Sequence, residues 1–280
     1  MIPLPAYTVC TSIYKNDNPK HVKEAFDSML INQTVPPSEI VLVVDGPIST
    51  ELQNLIAKYN KQYNSIFNTI FLDKNQGLGN ALKIGVEQAK YEYIARMDSD
   101  DICTMDRFEK QLTYLISHPE CDVVGGNIAE FIDNPSNIVS QRIVPIENNA
   151  IYNYLKYRCP FNHVTVMFKK CTVIQVGNYI EWHYNEDYYL WIRMALANSR
   201  FANLNQVLVK VRIGKEMYQR RGGLKYFKSE EEIQRYMLQN KIISPCLYLY
   251  NTTLRFVIQV LMPNKLRGFM FQKFARNYTN

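Results

Sequence analysis

The chain has 280 residues, 47% of them hydrophobic, and a formal net charge of +6 from 32 Lys and Arg against 26 Asp and Glu. That length fits one large α/β domain with an extension, and no stretch approaches the ~18 consecutive apolar residues of a membrane span or the pattern of a secretory leader, so a cytoplasmic location is expected. Six cysteines lack any C-x-x-C pair and four histidines lack i, i+4 spacing, which excludes a disulfide framework and a zinc site.

Tyr7 to Tyr14 reads as a buried strand, and Asn18-Pro19 supplies an N-cap and first-turn pair for a helix to Leu30. Glu39 to Val44 is a second strand, stopped by the turn residues Asp45-Gly46-Pro47. Thr50 and Gln53 form a capping-box pattern for a helix to Tyr63. A third strand over Ile66 to Leu72 leads through Asp73 to Gly77 into a helix from Leu78 to Lys90. Gly77-Leu78-Gly79 lacks the spacing of a dinucleotide fingerprint or a P-loop and reads as a tight helix entry.

The fourth strand, from Tyr91 to Ala95, ends in Met97-Asp98-Ser99-Asp100-Asp101. Three carboxylates within four positions repel one another unless a cation neutralises them, and oxygen ligands suit Mg²⁺ or Mn²⁺. Such ions complete their coordination with phosphate oxygens and water, which makes a nucleoside diphosphate the first partner to consider. The plain alternative is a solvated acidic loop in which Asp101 or Thr104 caps the helix starting near Met105.

Past that helix, which runs to Ser117, come a strand over Cys121 to Ile132, a polar loop at Asp133 to Asn137 and a helix from Asn148 to Tyr157. Strands at Val164 to Phe168 and Val207 to Val211 flank a helix from Glu186 to Ala197. Glu186 and Asp187 open that helix, with Trp191 one turn on from Asp187. One of the carboxylates fits a general base for a substrate hydroxyl, while acidic residues in a first turn also complement a helix dipole without any catalysis. His163 reads by default as a turn histidine with its hydrogen bonds satisfied. Arg220-Arg221-Gly222-Gly223 suits either a phosphate clamp or a solvated basic turn.

From Ile233 to Asn280 there are seven Lys and Arg and no Asp or Glu, so this segment carries the chain's whole positive excess. Basic residues interleaved with Phe, Leu and Met fit an interfacial helix on anionic lipid, and equally a helix packed on the core or on a second subunit. Apolar strands separated by helices imply a parallel sheet covered on both faces, which binds ligands beyond the carboxyl ends of its strands. Thr11 to Tyr14, Asp45, Asn75 to Gly79 and Asp98 to Asp101 all follow successive strands and should converge on one edge.

In this order the motifs resemble those of family 2 glycosyltransferases with the GT-A fold, over Tyr7 to Val211. Thr11-Ser12-Ile13-Tyr14 is similar to the nucleotide-contacting end of the family's first strand, and Val43-Val44-Asp45-Gly46 to its V-V-D-D-G-S turn. Asn75-x-Gly77 with Ala81 and Ala89 matches the next helix, Asp98-Ser99-Asp100-Asp101 the D-x-D motif, and Glu186-Asp187 with Trp191 the E-D motif and its downstream tryptophan. Asn162 to Phe168, Met217 to Gly223 and Gln33 to Pro37 are similar to segments of bacterial transferases that build capsule, exopolysaccharide or O-antigen repeat units. Gly46 departs from the pattern by replacing the second aspartate of the turn.

The resemblance implies an α/β, Rossmann-like GT-A fold: a mostly parallel central sheet with helices on both faces, and a helical basic C-terminal extension. It implies a catalytic domain over residues 1–215, divided into a nucleotide-sugar half, 1–104, and an acceptor half, 105–215, with the extension over 216–280. The implied reaction is inverting transfer of a hexose or N-acetylhexosamine from a nucleotide-diphosphate sugar, a UDP-sugar by preference, to a saccharide acceptor linked to polyprenyl diphosphate. Asp187 would be the general base with Glu186 in support, and Asp100 with Asp98 would hold Mn²⁺ or Mg²⁺. Thr11, Ser12, Tyr14, Asp45, Asn75, Gly77, Asp98, Arg220 and Arg221 would contact the nucleotide sugar, and His163 and Trp191 would face the acceptor. The C-terminal segment would contact the anionic inner face of the plasma membrane, and no nucleic acid is expected. The rival readings are a sugar nucleotidyltransferase, against which the glycine-free Thr11 to Lys15 speaks, and a noncatalytic membrane- or nucleic-acid-binding protein.

Overall fold

The structure, a computed structural model, describes residues 3–214 and 222–263. Its first half is a run of β-α units: β1 (Tyr7–Ile13), α1 (Pro19–Leu30), β2 (Glu39–Val44), α2 (Thr50–Gln62), β3 (Phe67–Phe71), α3 (Leu78–Gln88) and β4 (Tyr93–Arg96). The second half adds β5 (Ile102–Cys103), α4 (Arg107–Ser117), β6 (Val123–Phe131), β7 (Ile138–Arg142), α5 (Asn148–Leu155), β8 (Met167–Lys169), α6 (Lys170–Gln175), α7 (Glu186–Leu196) and β9 (Phe201–Arg212). Two C-terminal helices follow, α8 (Leu224–Gln239) and α9 (Pro245–Phe256), the latter continued by a π-helical turn over Val257–Leu261.

The strands form one sheet in the order β3-β2-β1-β4-β8-β6-β9-β5, with β7 paired to β6. Pairing is parallel from β3 to β4, antiparallel on either side of β8, and parallel again between β6 and β9. The directions therefore agree for β1, β2, β3, β4, β6 and β9, while β5, β7 and β8 run against them. Alternation along β2 divides the core: Ile40, Leu42 and Val44 pack with α1, α2 and α4, whereas Val41 and Val43 pack with α3, α5, α7 and α8. Each such side chain is fully buried and contributes about 1.5–3 kcal/mol. All four strands β1 to β4 point their carboxyl ends the same way, which gathers the loops after them at one edge.

Several local expectations change. Ser49, not Thr50, caps α2, its hydroxyl accepting from the Leu52 N–H at 3.3 Å. The strand expected over Val164 to Phe168 is a 3₁₀ turn at His163–Thr165 followed by the short β8, because Asn162 turns the chain there: its carbonyl accepts from Thr165 N at 2.8 Å. The strand expected from Val207 begins at Phe201, where pairing with β6 extends it. No helix among the described residues is long and apolar enough to cross a membrane.

Candidate active site

The turn after β4 brings carboxylate oxygens of Asp98, Asp100 and Asp101 within 4.8 Å of one another. Neither Asp101 nor Thr104 caps α4, which starts at Arg107 without a side-chain cap. Asp101 is 2% exposed and accepts from Arg212 N at 2.8 Å, and Thr104 donates to the Leu208 carbonyl at 3.1 Å. The cluster is therefore fastened to β9. Arg212 also donates from Nε to the Asp100 carbonyl at 3.2 Å, pairs with Glu24 at 2.6 Å and stacks on Phe131.

A fourth carboxylate, Asp17, closes over the turn and accepts from Ser99 Oγ at 2.9 Å and from Tyr14 N at 3.1 Å. Burial, then the charges of Asp98 and Asp17, pushes the Asp100 carboxyl up to about 6. Burial likewise lifts Asp17 to about 6, against the hydrogen bonds from Ser99 and Tyr14, and raises Asp101 with help from Asp100. Acidic side chains that resist ionising together, with hard oxygen donors converging, are the environment a divalent cation relieves. The residues present fit Mg²⁺ or Mn²⁺.

Arg96, at the end of β4, is 3% exposed, and its Nη2 lies 2.5 Å from Asp98 Oδ1. Nothing in the sequence singled it out, yet its charge acts on Asp98, Glu186 and Asp187 together. Beneath it, the buried Arg107 donates from Nη2 to the Arg96 carbonyl at 2.7 Å and from Nε to Gln111 at 3.0 Å. Gln111 in turn donates to the carbonyls of Val124 and Thr165, both at 2.8 Å. This network fixes the backbone under the aspartates from strands on both sides.

At the other end of the edge, Asp45 is 5% exposed and its carboxylate receives Asn75 Nδ2 at 2.8 Å, Gln76 N at 2.7 Å and Gly77 N at 3.1 Å. Asp45 thus shapes the loop that carries Asn75. The departure at Gly46 has a steric reason: its φ is +88°, and a Cβ there would lie 2.6 Å from Asn75 N. Gly77 has a φ of +90°, which favours glycine, and a Cβ there would also crowd the Glu181 carboxylate, which accepts from Gly79 N at 2.9 Å. Ser12 is half-buried and Tyr14 exposed at this edge, but Thr11 has no exposed surface, so direct contact between its side chain and a nucleotide does not fit.

Glu186 and Asp187 open α7, within the electrostatic reach of Arg96. Asp187 is half-buried, and its Oδ2 accepts from the Cys159 thiol at 3.4 Å. Arg142 holds Cys159 in place by donating to its carbonyl at 2.7 Å. Burial raises both carboxyls: Glu186, with the Asp187 charge beside it, is pushed up to about 8, while the Tyr188 N–H, the Cys159 thiol and Arg96 temper the rise at Asp187. His163 shares a hydrogen bond of 2.9 Å with the Tyr179 hydroxyl, and burial and Arg96 hold it well below the usual histidine range, as a neutral ring. Trp191 is 0% exposed and packs edge-on against Phe161, so the acceptor contact expected of it is corrected to a core role. Arg220 and Arg221 lie outside the described residues.

The fold is an α/β sheet with one acidic cluster after β4 and a second acidic pair opening α7. Over residues 8–181 the chain matches the family model "Glycosyl transferase family 2", and it belongs to that family of transferases. It is 37% identical over 270 residues to the amylovoran biosynthesis glycosyltransferase AmsE of Erwinia amylovora, covering 95% of this chain and 98% of the relative. Similarity to the Escherichia coli UDP-Gal:alpha-D-GlcNAc-diphosphoundecaprenol beta-1,3-galactosyltransferase is 35% identity over 274 residues, 98% of each chain. Among solved structures, S. aureus TarS 1-349 in complex with UDP-GlcNAc superposes with a TM-score of 0.67 at 16% identity, over 96% of this chain and 75% of that one. The mannosyltransferase PcManGT from Pyrobaculum calidifontis, in complex with GDP-Man and Mn²⁺, gives a TM-score of 0.65 at 13% identity, over 95% and 72%. These two likenesses establish a shared GT-A fold.

Proposed function

We propose that this transferase moves a hexose or N-acetylhexosamine from a UDP-sugar, with inversion, to a saccharide carried on a polyprenyl diphosphate during bacterial surface polysaccharide synthesis. The observation that carries the reading is that two acidic centres, Asp98-Asp100-Asp101 and Glu186-Asp187, both lie within the electrostatic reach of the buried Arg96. The E. coli relative's name, with its UDP-galactose donor and diphosphoundecaprenol-linked acceptor, supports the substrate class.

In this mechanism an Asp187 carboxylate oxygen accepts the proton of the acceptor hydroxyl as that oxygen bonds to the anomeric carbon. The bond from that carbon to the diphosphate oxygen breaks on the opposite face, and the nucleoside diphosphate leaves. Mg²⁺ or Mn²⁺ held by Asp100, Asp98 and Asp101 would supply positive charge to the leaving diphosphate. Arg96 keeps Asp98 compensated and, by its charge, favours the ionised form of Asp187. Tyr14, Ser12 and the Asn75 loop bind the nucleoside, with Asp45 orienting that loop; Arg220 and Arg221 are assigned to the diphosphate. His163, neutral and oriented by Tyr179, faces the acceptor.

Incubation with UDP-galactose or UDP-GlcNAc, Mn²⁺ and a GlcNAc-diphosphate-lipid acceptor tests the reading. UDP release with a β-linked product from the α-configured donor is expected. Pyrophosphate release would mark a nucleotidyltransferase instead, and an α-linked product would remove the inverting mechanism.

The C-terminal segment supplies the contact with the anionic inner leaflet where such an acceptor resides. In support, the second half of α9 and the π-helical turn after it are polar inward and apolar outward. Asn251 is 2% exposed and donates to Gln234 at 2.8 Å, and Arg255 and Gln259 reach Glu230 at 2.7 and 2.8 Å. Leu249, Tyr250, Leu254, Val257 and Leu261 are exposed, a stripe at helical spacing that reverses the usual pattern of a surface helix. Each nearby cation adds about 1 kcal/mol of attraction to an anionic bilayer. Cosedimentation with phosphatidylglycerol vesicles should fall on raising salt, on ending the chain at 263, and on replacing Leu254 and Val257 by Ser. Equal binding by all three proteins, or none by the full chain, would dismiss the segment as a membrane contact. Ending the chain at 263 rather than before Asn251 leaves Glu230 its partners.

A further inference from the structure

The loop that delivers the E-D pair is hydrogen-bonded to the C-terminal extension at Ser229. Ser229 of α8 is 5% exposed; its hydroxyl donates to the His183 carbonyl at 2.7 Å and accepts from Asn185 Nδ2 at 3.0 Å. Its own carbonyl accepts from Trp182 Nε1 at 3.2 Å. All three partners lie in the four residues before Glu186.

Asn185 sits at the N-cap position of α7, but its side chain makes no capping bond to that helix because the amide is turned onto Ser229. Tyr184 just before it has a φ of 59°, a left-handed conformation that a bulky residue holds only when its surroundings fix it. On the opposite side the same loop is tied to α3, through Asn178 Nδ2 to the Lys83 carbonyl at 3.0 Å and Glu181 to Gly79 N at 2.9 Å. The loop is thus suspended between the donor half of the sheet and α8. The helix α8 does not depend on Ser229 for its own seat: Ile233 and Met237 are fully buried, and Asn251 and Arg255 hold Gln234 and Glu230.

We propose that Ser229 is a positioning residue for the reaction. Acting through Asn185, it sets the entry angle of α7 and so the place of the Asp187 carboxylate relative to the acceptor hydroxyl. A base must lie within hydrogen-bond reach of its proton, and displacements of about 1 Å cost on the order of a hundredfold in rate. The inference rests on Asp187 being the base, so the experiment carries its own control.

Steady-state kinetics and UDP-sugar affinity are measured for the full chain, Ser229→Ala, Ser229→Thr, Asn185→Ala, the Ser229→Ala/Asn185→Ala double variant and Asp187→Asn. Ser229→Ala should lower kcat by about tenfold, a fraction of a base's full contribution, with donor affinity and melting temperature close to wild type. Ser229→Thr, which keeps the hydroxyl, should restore most of the rate. Asn185→Ala should lower kcat in the same direction, and the double variant should fall by less than the two single effects combined, because the Ser229–Asn185 bond is lost in both while Ser229→Ala also loses the bond to His183. Wild-type kcat in Ser229→Ala overturns the inference, as does a parallel fall in kcat, donor affinity and stability that Thr fails to restore. Wild-type transfer by Asp187→Asn instead overturns the base assignment itself.

Discussion

Replacing Asp187 by Asn should leave binding of donor and metal intact and reduce sugar transfer by ~10²–10⁴-fold, the usual contribution of a general base. The substitution keeps size and removes only the capacity to take a proton. The Cys159 thiol 3.4 Å away can still donate to the amide oxygen, and the packing around α7 is untouched. We assign the base to Asp187 rather than Glu186 because their surroundings drive them apart. Burial and the adjacent Asp187 charge push Glu186 up to about 8, so it holds its proton at neutral pH, while the Tyr188 N–H, Cys159 and Arg96 favour ionised Asp187. A base works deprotonated, so kcat should rise with pH through the raised pKa of Asp187, and this acidic limb should vanish from the residual activity of the variant. Titration calorimetry with UDP and Mn²⁺ separates the outcomes. If Asp187→Asn loses donor affinity with no specific effect on the chemical step, Asp187 is structural and Glu186 takes the role.

The first half of the fold, β1 to β4 with the helices between them, was legible because its signals are local. Asn18-Pro19 starts α1 as read, its side chain accepting from Lys20 N at 2.9 Å, and β2 spans Glu39–Val44 as its uninterrupted apolar run indicates. Signals that depend on distant partners were not legible. Ile102–Cys103 is a strand only because β9 pairs with it, and β7 exists because β6 continues past the domain's middle to receive it. The same distinction holds at the site. Carboxylates announce themselves by clustering, as Asp98 to Asp101 and Glu186-Asp187 do. Arg96, Arg107 and Arg212 are single cations whose importance comes from what the fold lays against them: one ion pair, one set of carbonyls, one aspartate turn. Gly77, read as a tight helix entry, takes a φ of +90° at the start of α3. Trp191 was read from its motif, and only the packing of Phe161 against it reveals a core residue.

Replacing Asp100 by Asn should abolish metal-dependent transfer while the fold gains stability in the absence of metal at neutral pH. Asp100 stands at the rim of the cluster with much of the residue open to solvent, while its carboxyl, partly enclosed by the turn and facing the charges of Asp98 and Asp17, is pushed from 3.8 up to about 6. A folded pKa above the unfolded one means that ionisation opposes folding: the associated stability is fully present below pH 4 and is lost as pH rises through about 6. Without cation the wild-type melting temperature should therefore decline as pH increases across that window, and the decline should be shallower in the Asn variant, where Asp17 and Asp101 still ionise. Mn²⁺ should reverse the decline, since a ligand at a hundred times its Kd adds about 2.7 kcal/mol to the native state. The Mn²⁺-induced shift should consequently be large at pH 7.5, small at pH 5, and missing in Asp100→Asn at either. Asp98→Asn should be milder towards metal, because Arg96 already neutralises that carboxylate at 2.5 Å, but should cost stability by leaving a buried guanidinium without its ion pair. Thermal denaturation with and without Mn²⁺ at the two pH values, beside turnover in Mn²⁺ and in EDTA, decides the matter. Undiminished metal-dependent turnover by Asp100→Asn would move the cation away from the aspartate turn and take the electrostatic half of the mechanism with it.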